Sequence, residues 1–286
     1  MIRLGVVGHR GYDGLVEILS TVFRCAGELE LEPIFEPDLL DVAPGAGRLE
    51  ADTEIDALLT LGGDGTLLRG ARLLGQHEVP ILGVNLGRLG FLTCCPASQL
   101  ESSLMRFARG DYAVESRMML QASVNVGRRS RENWIAFNDV VIHKGGFARV
   151  VWLRVSVDEE LIAEYAADGV VIASPTGSTA YSLSAGGPVV VPTLETILVT
   201  PVSPHTLAIR PVVVSAASKI TVQVDGAPEE LLVTVDGQVG TKFMAGDTLT
   251  VSRAPKATKI VRFPGSNFFA TLGQKLGWGG IPEREQ

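Results

Sequence analysis

Short apolar runs alternate with segments of helical spacing along the first ninety residues. Leu4 to Val7, Ile55 to Leu61 and Pro80 to Asn85 are apolar runs, which predicts strands buried on both faces. Between them, Leu15 to Gly27 and Leu67 to Leu74 repeat apolar residues at the spacing of a helix that covers a core. This order of strands and helices predicts an α/β domain with a parallel, Rossmann-like sheet.

The pattern changes after residue 96. One more helix is predicted from about Ser98 to Arg109, and the following segments favour strands. Val151 to Asp158 alternates apolar and polar residues, as does an antiparallel strand with one exposed face. Similar strands are expected at Ser116 to Val126, Trp134 to His143, Gly169 to Ala173, Leu207 to Val214, Lys219 to Val224, Leu231 to Val235 and Thr248 to Arg253.

This change of pattern predicts how the chain is divided into domains. Residues 1–96 are expected to form the α/β domain and residues 97–259 a β-rich domain. The C-terminal segment, 260–286, is expected to pack back on the first domain. With 286 residues, of which 46% are hydrophobic, the chain is long enough to bury a core in each domain.

Charge and cysteine content exclude several classes of function. The net charge is −7 and the basic residues are scattered, so the stripe that binds nucleic acid is absent from the sequence, although a small anionic ligand stays compatible. The three cysteines have no metal-ligand spacing and make a poor disulfide set, which points to a reducing cytoplasm. The apolar runs are too short to span a bilayer, so no membrane partner is expected.

A glycine-rich turn, Gly62-Gly63-Asp64-Gly65-Thr66, separates the second predicted strand from its helix. Glycines there let the backbone approach a phosphate, and the helix N-terminus points its amides at the same place. The turn is neither the P-loop, whose lysine it lacks, nor the GxGxxG fingerprint. A carboxylate among such glycines makes sense if Asp64 accepts the proton of an attacking hydroxyl or holds a metal. The alternative is a plain turn in which Asp64 or Thr66 caps the helix.

A second cluster, rich in glycine and hydroxyl groups, runs from Asp168 to Pro188. Its small residues let a flat ligand lie against the backbone, while its hydroxyls and Tyr181 supply directional hydrogen bonds. The alternative is a well-capped surface helix. A cap needs one hydroxyl, whereas five Ser and Thr residues lie between Thr176 and Ser184, so a ligand site is the favoured interpretation.

Together with four shorter motifs, these two stretches resemble the NAD kinase family over essentially the whole chain. A Gly-Gly-Asp-Gly turn alone is weak, because phosphofructokinases and lipid kinases carry similar turns, but the ordered set is specific. The six motifs are Leu61–Arg69, Gly83–Leu92, Phe137–His143, Asp168–Pro188, Val235–Gln238 and Lys275–Trp278.

The resemblance implies transfer of a phosphoryl group from ATP, or from polyphosphate, to the 2′-hydroxyl of the adenosine ribose of NAD, giving NADP. It also implies a divalent cation, normally Mg²⁺, that accompanies the donor, and a homodimer or homotetramer. The fold it implies is an α/β first domain and a β-rich second domain with the dinucleotide between them. The alternatives are a lipid or sugar kinase that shares the turn, and a non-catalytic dinucleotide sensor.

By the same resemblance, Asp64 is the proton acceptor and further residues contact the substrates. Asn138-Asp139 matches an Asn-Glu/Asp pair that holds dinucleotide hydroxyls; a buried Asn at a bulge is the alternative. Arg69 follows on the helix and reaches a phosphate, and Arg149 is either a substrate contact or an exposed sheet-edge arginine. The substrate-binding residues so implied are Gly65, Arg69, Asn138, Asp139, Arg149, Ala166, Asp168, Thr179, Ala180, Tyr181, Ser182, Leu183, Ser184 and Gln238.

Two positions depart from the family pattern, and one histidine is expected to have no role in catalysis. Asp139 stands where many members have Glu, so its carboxylate reaches one methylene less far. Ala166 stands where some members have Arg, which leaves the preference between NAD and NADH open. His143 follows apolar strand residues and is expected to be a structural histidine.

Overall fold

The structure is a computed structural model that describes residues 1–50, 52–75, 77–87, 90–125, 132–145, 151–225, 231–244, 246–265 and 267–278. Its helices are α1 (Leu15–Glu28), α2 (Asp64–Leu74), α3 (Leu100–Ala108), α4 (Tyr181–Ser184) and α5 (Phe268–Leu276). Its strands are β1 (Ile2–Gly8), β2 (Leu31–Phe35), β3 (Gly47–Arg48), β4 (Ala57–Leu61), β5 (Pro80–Asn85), β6 (Cys95–Pro96), β7 (Ala113–Asn125), β8 (Glu132–Ala136), β9 (Asp139–Lys144), β10 (Val151–Val157), β11 (Glu160–Ala167), β12 (Gly169–Ala173), β13 (Thr196–Val202), β14 (Val212–Ser215), β15 (Ile220–Asp225), β16 (Leu231–Val235), β17 (Val239–Phe243) and β18 (Thr248–Arg262). No helix within these ranges is long and apolar enough to cross a membrane.

The chain folds into two compact units. The first comprises Met1–Ser116 and the chain from Thr258 onward, and the second comprises Arg117–Ala257. The division thus falls after residue 116 rather than near residue 96, because α3 packs against α1 and buries Leu104 in the same cluster as Leu19. Strand β18 belongs to the second unit at its start and to the first unit at its end.

The first unit is built on a parallel sheet, as the apolar runs predict. The strand order is β5-β4-β1-β2-β3, with every neighbouring pair parallel, and the end of β18 pairs with β5 in parallel as well. Every residue of β4 is buried. Because α2 starts three residues after β4 ends, the glycine turn lies at the carboxyl edge of the sheet, where ligands bind in folds of this type.

The second unit consists of two antiparallel sheets. One contains β11, β10, β15 and the start of β18, together with the paired strands β7 and β8. The other has the order β14-β13-β12-β9-β16-β17. Alternate residues of β9 face opposite ways, since Val140 and Ile142 enter the large core whereas Val141 belongs to a separate small cluster with Val171 and Leu198. The α/β and β-rich classes predicted for the two domains are therefore confirmed.

Two predicted strands differ from the structure. Leu207 to Val214 is a strand only from Val212, where β14 begins. Trp134 to His143 was expected to be a single strand, but β8 and β9 belong to different sheets and the chain breaks at Phe137-Asn138. The amides of these two residues, which a continuous strand would direct to a neighbouring strand, donate to the carboxylate of Asp236, at 3.0 and 2.7 Å. A side chain distant in sequence therefore ends one strand and starts the next.

Candidate active site

Asp64 is the first residue of α2, and its half-buried carboxylate accepts two backbone hydrogen bonds. The amide of Phe91 donates to Oδ2 at 2.8 Å and that of Leu92 to Oδ1 at 3.0 Å. A Cβ at Gly90 would overlap the carboxylate, so only glycine leaves room for it there. The N-cap residue of α2 is Gly63, and no side chain caps the helix. The Asp64 carboxylate therefore does not cap α2; it is bound to the loop at Phe91 and Leu92.

Arg69, predicted to reach a phosphate, is engaged inside the first unit. Its guanidinium pairs with the carboxylate of Glu36, with Nη2 at 3.0 Å from Oε1, and also donates to the carbonyl of Gly8 at 2.7 Å. The amide of Gly8 donates to the same carboxylate at 2.7 Å. Glu36 is buried, whereas the Arg69 side chain is 41% exposed, so contact with a phosphate stays a prediction for this residue.

The second unit contains a cavity of about 480 Å³ on the outer face of the β9 sheet. This volume is within the range of sites for small molecules and cofactors. The lining residues are Asn138, Asp139, Val141, His143, Ala180, Tyr181, Thr234, Asp236 and Gly237. The cavity therefore brings together four of the predicted substrate contacts, namely Asn138, Asp139, Ala180 and Tyr181.

Asp236 organises this cavity from the turn after β16. Its carboxylate accepts the amides of Phe137, Asn138 and Asp139, at 3.0, 2.7 and 3.2 Å, and its own amide donates to the carbonyl of Asp139 at 2.9 Å. On the other side, a Cβ at Gly177 would overlap the Asn138 carbonyl, so the turn after β12 packs directly on this backbone. The Asn138-Asp139 pair is thus held from two sides.

The carboxyl group of Asp139 is buried, with 5% of the residue exposed, and this burial raises its pKa to about 7. The negative charge of Asp236 is the second contribution to this raised pKa, while a hydrogen bond from the backbone of Tyr181 opposes the shift. At neutral pH the group therefore exchanges between a protonated form, which donates, and an ionised form, which only accepts.

The raised pKa of Asp139 makes the stability of the ligand-free protein depend on pH. Between the ordinary value of 3.8 and about 7, the folded protein keeps a proton that the unfolded chain releases, so the free energy of unfolding falls as pH rises toward 7. We expect Asp139→Asn, which cannot ionise, to gain stability relative to the wild type by about 1.4 kcal/mol per pH unit from pH 5 to 7. Urea unfolding of both proteins at pH 5 to 8 measures this; a pH-independent difference would contradict it.

The hydroxyl groups of the Asp168–Pro188 cluster mostly hold the backbone of the second unit together. Ser174 Oγ donates to the carbonyl of Phe137 at 2.6 Å, and Ser178 Oγ donates to that of Val190 at 3.1 Å. Ser182 is fully buried and its hydroxyl is 2.9 Å from that of Thr200. The large number of hydroxyls, which favoured a ligand site, is therefore explained in good part by local structure.

The remaining predicted contacts lie around this framework. Thr179 donates to the carbonyl of Thr176 at 3.2 Å, and Asp168 pairs with Lys144 at 2.6 Å. Leu183 and Ala166 are half-buried, whereas Gly65, Ser184 and Gln238 are exposed. Arg149 lies outside the described residues. For all of these, substrate contact stays a prediction.

Two residues of the candidate site are not among the substrate contacts that the sequence predicts. His143 was expected to be structural, but it lines the cavity, with Nδ1 at 3.1 Å from the carbonyl of Lys144. Asp236 lies in the Val235–Gln238 motif, in which Gln238 is the predicted contact. The sequence does contain a signal for His143. Asp139, Val141 and His143 alternate along one strand and therefore share one of its faces.

The described residues contain no cluster of three or more His, Cys, Asp or Glu side chains that would form a metal site by itself. Mg²⁺ in phosphoryl-transfer sites commonly keeps several waters and takes one or two carboxylates plus phosphate oxygens. Asp64 is a half-buried carboxylate on a glycine turn that suits phosphate. Asp64 would therefore suit a cation that takes one carboxylate from the protein and its other ligands from water and phosphate.

Comparison with known proteins places this architecture in a family. Residues 43–112 match the ATP-NAD kinase N-terminal domain and residues 137–263 the ATP-NAD kinase C-terminal domain. The chain is 58% identical to the NAD kinase of Gemmatimonas aurantiaca over 285 residues, covering 99% of both chains, and 45% identical to that of Caldanaerobacter subterraneus over 284 residues, covering 96% and 99%.

Two solved structures are similar over the whole chain. An NAD kinase from Archaeoglobus fulgidus in complex with ATP has a TM-score of 0.75 at 26% identity, with 98% of this chain and 100% of that one covered. Yeast NADH kinase complexed with NADH has the same fold, with a TM-score of 0.89 at 24% identity and coverage of 100% and 90%. The chain belongs to the NAD kinase family.

Proposed function

We propose that the protein transfers the γ-phosphoryl group of ATP to the 2′-hydroxyl of the adenosine ribose of NAD, giving NADP. The observation that carries the proposal is the geometry of Asp64. Its carboxylate is fixed by the amides of Phe91 and Leu92 at the start of α2, and a glycine turn suited to phosphate surrounds it. This combination provides a proton acceptor beside a phosphate site, as phosphoryl transfer to an alcohol requires.

In the proposed mechanism, Asp64 accepts the proton of the 2′-hydroxyl as that oxygen attacks the γ-phosphorus in line. The new O–P bond forms as the bond to the leaving oxygen of ADP breaks. The transition state of such transfers is loose, so orientation of the hydroxyl and compensation of phosphate charge matter more than base strength. The amides at the N-terminus of α2 contribute to that compensation.

The cavity of the second unit is the proposed site of the dinucleotide. Asn138 and Asp139 offer an amide and a carboxyl group to ribose hydroxyls, and the ring of Tyr181, which is 43% exposed, offers a surface for a flat base. Contact of His143 with the same ligand follows from its place in the lining. The proposal thus assigns dinucleotide binding to the second unit and proton acceptance to the first.

The donor is proposed to be ATP, bound with a divalent cation such as Mg²⁺. Support for ATP comes from the similar Archaeoglobus fulgidus enzyme, whose structure was solved in complex with it. A bound cation would supply positive charge that offsets the charge of the donor's phosphates. Asp64 is the described side chain proposed to approach it.

We further propose a homo-oligomer in a reducing, cytoplasmic compartment. Trp152, Leu161 and Ile162, on the paired strands β10 and β11, expose large apolar side chains to 55%, 52% and 40%. Such exposure on neighbouring strands suits contact with a second copy of the chain. Cys25, Cys94 and Cys95 are all free thiols, which supports a reducing environment.

The function is tested by incubating the protein with NAD, ATP and Mg²⁺ and measuring NADP with an NADP-specific dehydrogenase. We expect NADP to accumulate in proportion to enzyme, with none formed when ATP or the protein is omitted. Parallel reactions with polyphosphate as donor, NADH as acceptor, or EDTA in place of Mg²⁺ define donor, acceptor and cation. Absence of phosphorylated dinucleotide with every donor would refute the proposal and favour a non-catalytic sensor.

A further inference from the structure

The loop that holds Asp64 is itself held by Arg262, from the end of β18. Nη2 of Arg262 donates to the carbonyl of Phe91 at 3.0 Å, and Nη1 donates to those of Leu92 and Thr93 at 3.2 and 3.3 Å. Nε, at 3.2 Å, pairs with Glu115, and only 15% of the Arg262 side chain is exposed. One guanidinium therefore fixes three consecutive carbonyl groups about 170 residues away in the chain.

The peptide group between Phe91 and Leu92 joins Arg262 to Asp64. Its carbonyl oxygen accepts from Arg262, and its N–H donates to Oδ1 of Asp64 at 3.0 Å. Because the C=O and N–H of a trans peptide point in opposite directions, the positive guanidinium and the negative carboxylate lie at the two ends of one peptide dipole. Hydrogen bonds in such a chain polarise one another, which strengthens both.

The C-terminal helix α5 restrains the same loop from the side chain of Phe91. The rings of Phe91 and Phe268 have their centroids 6.2 Å apart, and Nζ of Lys275 lies 4.8 Å from the centroid of the Phe91 ring. Amide, carbonyl and ring of Phe91 are thus each held by a different partner. These restraints converge on the residues whose amides hold the proposed proton acceptor.

We propose that Arg262 is a positioning residue for phosphoryl transfer, which acts on Asp64 through the Phe91–Leu92 peptide group. The proposal depends on the function proposed above, since it needs Asp64 to be the proton acceptor. Arg262 orients the peptide group whose N–H fixes Oδ1, and thereby the carboxylate lone pair that meets the 2′-hydroxyl. An orientation error of about 1 Å at a reacting group lowers turnover about 100-fold.

The first test compares Arg262→Lys and Arg262→Met with the wild type. Lysine keeps the charge but lacks the fork that serves three carbonyls, so we expect kcat to fall about 10-fold for Lys and about 50-fold for Met. KM for NAD should change less than threefold, because the proposed dinucleotide cavity lies in the second unit. Arg106→Lys is the matched control: the guanidinium of Arg106 pairs with Asp111 and stacks on Phe263 in the same unit, so this variant should keep wild-type kcat.

The decisive measurement is a double-mutant cycle with Asp64→Asn. If Arg262 acts through Asp64, Arg262→Lys should lower the residual kcat of the Asp64→Asn enzyme by less than twofold. The same 10-fold loss in both backgrounds would show a general structural role and overturn the proposal. Wild-type kcat in a folded Arg262→Met enzyme would also overturn it, whereas failure of the wild type to form NADP would count against the proposed function.

A surface variant keeps the proposal testable if both Arg262 variants fail to fold. Lys275 is exposed, so Lys275→Met should fold normally, and loss of its cation–π contact should lower kcat about threefold without altering KM for NAD. Lys275→Arg, which keeps the cation over the Phe91 ring, should restore kcat. Equal kcat in Lys275→Met, Lys275→Arg and wild type would show that restraint of this loop does not govern turnover.

Discussion

Replacement of Asp64 by Asn is expected to lower kcat about 1,000-fold while the affinity for NAD stays within about threefold of the wild type. An amide cannot take the proton of the 2′-hydroxyl, so the step loses its base. The dinucleotide is proposed to bind in the cavity of the second unit, whose lining residues lie between 138 and 237 and do not include Asp64. The two effects are separated by steady-state kinetics of NADP formation and by calorimetric titration with NAD.

Asp64→Asn is expected to lower the stability of the protein as well as to remove the base. Both carboxylate oxygens accept backbone amides, so the Asn NH₂ group must face a donor, either the Phe91 or the Leu92 amide. We expect a stability loss of about 1–3 kcal/mol from that unsatisfied pair. Urea unfolding at the assay temperature must therefore accompany the kinetics. A folded Asp64→Asn enzyme that keeps more than a fifth of wild-type kcat would contradict the assignment of Asp64 as base.

The parallel sheet of the first unit was predictable because its strands are buried on both faces. Continuous apolar runs such as Ala57–Leu61 carry that signal, and the glycines that follow mark the turn to α2. β2 was not predicted. Leu31–Phe35 pairs in parallel with β1, but the strand has five residues and includes Glu32 and Pro33, so it lacks the continuous apolar run of its neighbours.

The arrangement of the candidate site was less predictable than its residue types. Asn138 and Asp139 could be singled out because they are polar in an apolar segment. Nothing local indicates that the amides around them are bound by Asp236, almost a hundred residues later, or that Arg262 supports the Asp64 loop. Interactions of this kind depend on how distant strands meet, and hydrophobic periodicity contains no information about them.

In the hydroxyl-rich cluster, the number of hydroxyl groups proves to be a weak argument for a ligand site, because several of them have local partners. Ser178 and Ser182 are completely buried, and their hydroxyls bond to Val190 and Thr200. In this segment the cavity wall is formed instead by Ala180 and Tyr181. Ser and Thr hydroxyls can bond to the backbone of a tight turn or to a ligand. The number of Ser and Thr residues in a segment therefore does not distinguish the two roles.

Asp236→Asn is expected to raise KM for NAD about 100-fold with kcat at saturation changed less than fivefold. The carboxylate accepts three consecutive amides, and Asn offers one oxygen and turns its NH₂ group toward at least one of them. The break between β8 and β9 then loses its restraint, and the Asn138-Asp139 pair leaves its place in the cavity wall. Asn is the suitable replacement because Asp236 has a φ of +51°, which Asn tolerates better than Ala.

The matched control is Asp158→Asn, and a second readout comes from the titration of Asp139. Asp158 also has a positive φ, +50°, and its carboxylate accepts the amide of Lys219 at 2.8 Å, on an exposed turn. That variant should keep wild-type KM. Asp236→Asn also removes the negative charge that helps to raise the pKa of Asp139, so the pH-dependent loss of stability, which starts near 3.8 in both proteins, should end at a lower pH in the variant. Unchanged KM together with an unchanged pH profile would show that Asp236 does not organise the cavity, because both effects follow from the same carboxylate.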